Sequence, residues 1–447
     1  MTQLFGGENN WDRVPDNPAP RRRLFGRETE TGDTKRNYPN RRTITYHVPV
    51  FLRFSFLQYT WVGFISVFTA FLKNLLLIFE ERFMALPAIL LLEGEEPFYG
   101  RGVGADGIAH GVMVASAFSA GIPDLLTDPA YGGKIVCFTY PHIGTSGVVP
   151  GDLQGDCVAA RAVAAREIGR FAANRLGTEA MDAWLARNNI PAMEGLDTRS
   201  VTEIVARRGL VRAVMGTGRY ADPDALAREF AASPDAWNIE RAGVKHPVDW
   251  TEGAVAFSQY KVVVHDFGVK RGFLRRLAQM GCAVRVVPAG YPADKTMSEK
   301  PNAVVFSSGV GVPDSRLEAI PAATQLLGKV PLWGVGVGAG VLAAAAGART
   351  TVNGRGHFGV QPVTRVGTSS GAMTAQAREF WVEEDSLAGA GLALTHKNLN
   401  DGSVEGFKCD KRAIMGVLFN PEGEPGQHDS LYLFDQFIEM VGKFTQA

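Results

Sequence analysis

Residues Lys329 to Trp333 read as a short buried strand. They run directly into Gly334-Val335-Gly336-Val337-Gly338-Ala339-Gly340 and then the apolar helical run Val341 to Ala346. Strand, tight glycine turn and helix, in that order, form the local architecture that presents a nucleophile at a strained turn beside the first amides of the helix. A cysteine is expected at the centre of such a turn, and the residue there is Gly336. Glycine has no side chain to attack anything. The scaffold is predicted to survive without its reactive atom.

The surrounding pattern says what this turn is built into. From Lys261 onward short β-branched runs alternate with helices: strands at Val262–Val264, Val284–Val287, Ala303–Phe306 and Val330–Trp333, and a helix over Arg271–Met280. That alternation predicts a doubly wound α/β domain, a parallel sheet with helices on both faces. Ligands in such sheets sit at the carboxyl ends of the strands. Ser307–Pro313 and Gly334–Gly340 both fall there, so one pocket can be built from both. From Met84 to Phe230 the pattern is mixed α/β. Ile89–Leu92 and Lys134–Thr139 read as strands, and Asp156–Phe171 and Glu179–Asn188 as helices, with Thr178 a candidate cap for the second. Thr198-Arg199-Ser200 precedes a helical run Val201–Arg208 that Gly209 closes. Ala231–Phe257, with Pro234 and Pro247 and little periodicity, reads as a linker. The predicted organisation is an extension over 1–83, an N-terminal mixed α/β domain over 84–230, a linker over 231–260 and the doubly wound domain over 261–447.

A chain of 447 residues predicts two or three domains. Forty-six basic residues balance forty-six acidic ones, so charge gives no reason to invoke nucleic acid. The four cysteines (Cys137, Cys157, Cys282 and Cys409) are scattered without a C-x-x-C pair, and the eight histidines are dispersed. Neither a metal site nor a disulfide framework is expected, and a reducing, cytoplasmic compartment fits.

The first 83 residues differ in character. Arg21-Arg22-Arg23, Arg41-Arg42 and several prolines read as disordered, and Phe54–Leu72 is an uncharged run long enough to span a bilayer. One reading is a membrane anchor. The reading adopted as the expectation is a misplaced start, with translation beginning at Met84: Glu80-Glu81 can be encoded as GAGGAG, the purine core of a ribosome-binding site, at a suitable distance upstream.

Several motifs in order then carry a resemblance. Leu126-Thr127-Asp128-Pro129-Ala130-Tyr131, Thr139-Tyr140-Pro141-His142-Ile143-Gly144 and Asp197-Thr198-Arg199 are followed by Asp266-Phe267-Gly268-Val269-Lys270-Arg271. Thr395-His396-Lys397 and Pro425-Gly426-Gln427-His428-Asp429 come late. Together they resemble the small, glutamine-hydrolysing subunit of carbamoyl-phosphate synthetase, whose second half is a class I glutamine amidotransferase domain. The resemblance implies a large-subunit partner that uses ATP and bicarbonate, no cofactor in this subunit, and a place in arginine and pyrimidine biosynthesis.

It also shows what is missing. The family's nucleophilic cysteine sits in a G-x-C-x-G-H-Q turn, its base is the histidine of H-P-E, and the glutamate of that segment orients the base. Those places hold Gly336, Asn420 and Glu422 here. Asparagine is no general base, which leaves Glu422 with nothing to orient. The family's glutamine-binding positions correspond to Gly309, Gly311, Val337, Gly340 and Phe380. Gly309 and Gly311 would act through backbone amides, whereas Gly340 and Ala377 replace ligand-binding side chains and Ala130 replaces a serine. The Gln376-Ala377-Arg378-Glu379-Phe380 strand keeps only its first and last family residues, and Gly356-His357-Phe358-Gly359-Val360-Gln361-Pro362 is one residue short.

The expected function is therefore a non-hydrolytic small subunit supporting an ammonia-dependent large subunit. The alternative is a regulatory ligand-binding pseudo-amidotransferase, or a decaying duplicate. Gly334–Ala339 also satisfies a loose dinucleotide-loop pattern, but no Asp or Glu follows between Gly334 and Arg378 to hold a ribose. Arg378, Glu379 and Trp381 either remodel the pocket or fill it, and a packed interior favours filling. Glu422 and His428 are expected to hold loops by hydrogen bonds.

Overall fold

A computed structural model describes residues 86–232 and 243–446. The sequence expectations for residues 1–83, for a start at Met84 and for the apolar run 54–72 lie outside the described residues. Among the described residues no helix is long and apolar enough to cross a membrane.

The first half closes a barrel of seven strands, in the order Leu86–Leu92, Phe98–Gly104, Pro191–Glu194, Ala162–Ala164, Lys134–Phe138, Ile108–Ser116 and Val211–Thr217. Its interior is filled by small and flexible side chains such as Ala88, Ala109, Met113, Ala162, Met193 and Met215. The helix Thr198–Arg208 presents Val201 and Ile204 to that core. Asp197 caps this helix by accepting from the Ser200 amide, and Gly209 ends it at φ 84°.

Three local expectations change here. Asp156–Phe171 contains no helix; it holds the strands Ala162–Ala164 and Glu167–Ile168. Ala162 to Ala164 are buried between two parallel neighbours, so strand pairing overrides the helix propensity of an alanine-rich run. Thr178 does not cap the next helix, which begins at Met181 after Ala180. Its hydroxyl donates to Val148 O. Within the stretch read as a linker, Val248–Trp250 pairs antiparallel with Cys282–Pro288 and becomes a sheet edge.

The second half is built on a ten-stranded sheet. Its centre is parallel: Cys282–Pro288, Tyr260–Phe267, Ala303–Gly309, Leu332–Val335 and Ile414–Val417 lie side by side. Beyond Ile414–Val417 the sheet turns antiparallel through Val404–Cys409, Ala393–Asn398, His357–Arg365 and Gly371–Arg378. Alternation along the strands feeds two cores. Val262 and Val264 pack with Phe273, Trp333, Phe434 and Phe437 on one face, while Val263 packs with Phe306, Leu342 and Ala343 on the other. Helices therefore cover both faces, as β-branched runs buried on two sides require.

Candidate functional site

The expected strand, turn and helix are present as Leu332–Val335, Gly336 and Val337–Ala346. Gly336 sits at φ 53°, ψ −122°, the left-handed side of backbone space that resists a Cβ. The turn has thus kept the strained geometry of a nucleophile elbow with no side chain on it. A Cβ built there would meet Ser308 Cβ at 3.2 Å, a tight but not blocked position.

Neighbouring strands bring the other sequence-derived positions to the same end of the sheet. Gly309 closes the adjacent strand Ala303–Gly309, and Gly311 follows it by two residues. On the other side the Gly336 amide donates to Val417 O, and three residues beyond Val417 the chain reaches Asn420. Asn420 is fixed in turn by its amide on Ala375 O. Val337 opens the helix, and Gly340 lies one turn along it.

Space for a ligand side chain at position 340 has gone. A Cβ on Gly340 would lie 2.6 Å from Phe380 Cε2 and press on the Pro313 ring. Phe380 is itself 1% exposed and held from behind, because Arg378 Nη1 donates to its carbonyl at 2.6 Å. Arg378 is buried in a network with Glu405 (2.9 Å), Gln376 (3.2 Å) and His357 (3.1 Å), and its guanidinium lies 4.4 Å from the centre of the Trp381 ring. Burial opposes the charge on Glu405, but Arg378, with His357, Asn398 and Gln376, outweighs it and holds the carboxyl below its ordinary value. A buried guanidinium with its donors this well used fills space; it is not poised for a ligand. Gly340→Gln is accordingly expected to destabilise the fold by about 1–3 kcal/mol through overpacking, measurable by urea unfolding.

Glu422 is not left idle. It is 3% exposed and forms an ion pair with Lys270 Nζ at 2.5 Å, and Lys270 in turn lies 3.9 Å from Asp128. Lys270 also donates to the Glu424 carbonyl. The Asp266-Phe267-Gly268-Val269-Lys270 motif explains how the lysine arrives. Asp266 Oδ1 accepts from the Gly268 and Val269 amides at 2.8 and 2.7 Å, which turns the chain so that Lys270 opens the helix Arg271–Gln279. Asp128 is delivered from the barrel as the cap of the turn Pro129–Tyr131, accepting from the Ala130 amide at 2.9 Å. The Asn420 side chain lies near Asp128 and favours the charged form of its carboxyl.

The electrostatics of this cluster follow from its burial. Desolvation raises the carboxyls of Asp128 and Glu422, with Lys270 partly offsetting it. Desolvation works against the Lys270 ammonium, yet Glu422 and Asp128 hold its pKa above the ordinary value. Two carboxyls and one ammonium thus share a dry seam between the barrel and the sheet domain. A second pair crosses the same seam, from buried Lys134 of the barrel to partly buried Glu379. His428 is exposed, and its carbonyl accepts from the Leu431 amide, while Asp429 accepts from the Met373 amide at 3.0 Å. Sequence reasoning singled out Glu422, Asp128 and Lys270 separately; that they meet in space had no local signal.

Among the described residues no group of His, Cys, Asp and Glu is arranged to hold a metal ion. A thiolate nucleophile needs a base or a depressed pKa, and the turn offers neither thiol nor base. The arrangement retains the backbone amides of the turn and a rigid seam, and Gly336 itself brings no side chain to the turn.

Comparison with known proteins gives the lineage. A family model described as carbamoyl-phosphate synthase small chain, CPSase domain, matches residues 90–215, and one described as glutamine amidotransferase class-I matches residues 263–440. The chain is 34% identical over 376 residues to the carbamoyl phosphate synthase small chain of Syntrophotalea carbinolica, covering 81% of this chain and 100% of that relative. Small chains from Thermosynechococcus vestitus (35% identical, 81% and 98% covered) and Salmonella typhimurium (33% identical, 81% and 100% covered) match similarly. With both halves matched and its curated relatives covered end to end, the chain belongs to the carbamoyl-phosphate synthase small-chain family.

Proposed function

We propose that this chain is a carbamoyl-phosphate synthetase small subunit that does not hydrolyse glutamine. It supports a large subunit that makes carbamoyl phosphate from bicarbonate, ATP and free ammonia. The observation that carries this reading is the pairing of a preserved elbow with a dismantled site. Gly336 keeps φ 53° and ψ −122°, while a neutral Asn420 stands at the base's position and Glu422 is paired with Lys270. Drift without selection would be expected to relax the strained turn and leave the buried charges unmatched. A scaffold kept for assembly retains both.

The packing of Phe380 against Gly340 speaks against the alternative of a remodelled ligand pocket at the old site. No cofactor is assigned to this subunit in this reading, and ATP and bicarbonate belong to the partner's reaction. Co-expression with the cognate large subunit tests the assembly. A stable complex burying roughly 2,000 Å² or more is expected, in the range of lasting partners. A thiol-alkylating glutamine analogue should leave the ammonia-driven rate of that complex unchanged. A large subunit that ignores this chain in favour of an intact paralogue would move the reading to a regulatory module or decaying duplicate.

A further inference from the structure

The parallel strands reverse their order at one place. Tyr260–Phe267 comes first in this set, and the next two strands flank it on opposite sides, Cys282–Pro288 on one and Ala303–Gly309 on the other. At such a switch point the connections leave in opposite directions and open a crevice beyond the strands' carboxyl ends. A cavity of about 520 Å³ lies there, touching Asp266 and Val286 of two strands and Gly268 and Val310 just past the ends of Tyr260–Phe267 and Ala303–Gly309. That volume is in the range of small-molecule sites. The strand Ala303–Gly309 stands between it and the Gly336 strand, so it opens on the other side of that strand from the Gly336 turn, with Val310 the lining residue between Gly309 and Gly311.

Its walls have a definite chemistry. The sheet edge and the segment before it contribute Val244, Val248 and Trp250, an apolar wall with one indole. The indole N–H is already used on Glu252 O at 2.8 Å, which leaves Trp250 only an apolar ring to offer. The loop leading into the barrel strand Ala162–Ala164 contributes further lining, with Gln154, Asp156, Cys157 and Arg161. The carboxylates present are already engaged. Asp266 accepts from three amides, those of Gly268, Val269 and Val244, and Asp156 pairs with Arg271 while facing solvent. Arg161 is different: among the described residues no carboxylate lies within ion-pair distance of it. An apolar wall and a cation lining one cavity suit an anion that carries a flat apolar body.

We propose that this switch-point cavity binds a small organic anion with a planar ring, its charge held by Arg161 and its ring packed on Trp250 and Val248. Cys157 provides the readout, being the one exposed cysteine while Cys137, Cys282 and Cys409 are buried. The full chain is labelled with iodoacetamide, and the rate at Cys157 is followed by peptide mass spectrometry. The probes are indole-3-acetate, a ring carboxylate, and AMP, a ring phosphate, with indole and adenosine as uncharged counterparts. For a dissociation constant near 0.1 mM, mass action at about 1 mM ligand slows labelling roughly tenfold. Protection by the carboxylate alone or by the phosphate alone supports the site and names its ligand type. Arg161→Glu and Val248→Trp, both at exposed positions, should each abolish that protection. Unchanged labelling with both anions, equal protection by the uncharged rings, or full protection in both variants would overturn the proposal.

Discussion

Glutamine incubated with the purified chain, alone or with its large subunit, should be recovered unhydrolysed, and Gly336→Cys should not change that. The restored thiol would meet three deficits at once. The base's position holds the neutral Asn420, and a general base alone is worth roughly 10²–10⁴ in rate. Glu422, which would have to orient a restored histidine, is engaged with Lys270 at 2.5 Å. Glutamine itself has little to hold it, since Phe380 and Pro313 occupy the space beside Gly340 and positions 377 and 130 carry alanine. The new Cβ must also displace Ser308 slightly from its 3.2 Å contact. Glutamate release is the measurement. A rate above the enzyme-free background in the single variant would show that the substrate site is intact.

Lys270→Met should be the most damaging single substitution in the seam, costing about 3–5 kcal/mol, because it strands Asp128 and Glu422 without their cation. The pH dependence has a definite sign. Both carboxyls are raised in the folded state, so the stability tied to their neutral forms is present below their unfolded pKa values and is lost as pH rises through the folded ones. Removing the ammonium raises them further. The deficit of the variant, read from urea unfolding, is expected to grow as pH rises above the ordinary carboxylate range. Adding Glu422→Gln should recover part of it, since one buried charge is then gone. A variant within about 1 kcal/mol of the parent at acid and at neutral pH would mean the cluster is not charged.

The parts of this fold that could be read from sequence are those where burial dictates residue type. Val262–Val264, Ala303–Phe306 and the strand before Gly336 are β-branched or apolar because both faces of the sheet are covered. The missed strand Ala162–Ala164 is made of small residues because the barrel leaves room for nothing larger, and small residues carry a helical signal when read alone. Val248–Trp250 was hidden because an edge strand of three residues with an exposed valine has too little periodicity. At the site, the place of Gly336 in a turn between strand and helix was legible, since that reading needs only the local order of residues. The pairing of Glu422 was not, because Lys270 lies 152 positions upstream and Asp128 arrives from the first half of the chain. The Lys134–Glu379 pair was invisible for the same reason.

Synthesis of carbamoyl phosphate by the purified complex of this chain with its large subunit, measured with ammonia and then with glutamine as the nitrogen source, tests the central claim most directly. Ammonia should sustain turnover, glutamine should give no rate above the trace ammonia it carries, and removing this chain should lower the large subunit's stability or ammonia-driven rate. Glutamine-driven synthesis in that complex would contradict the account.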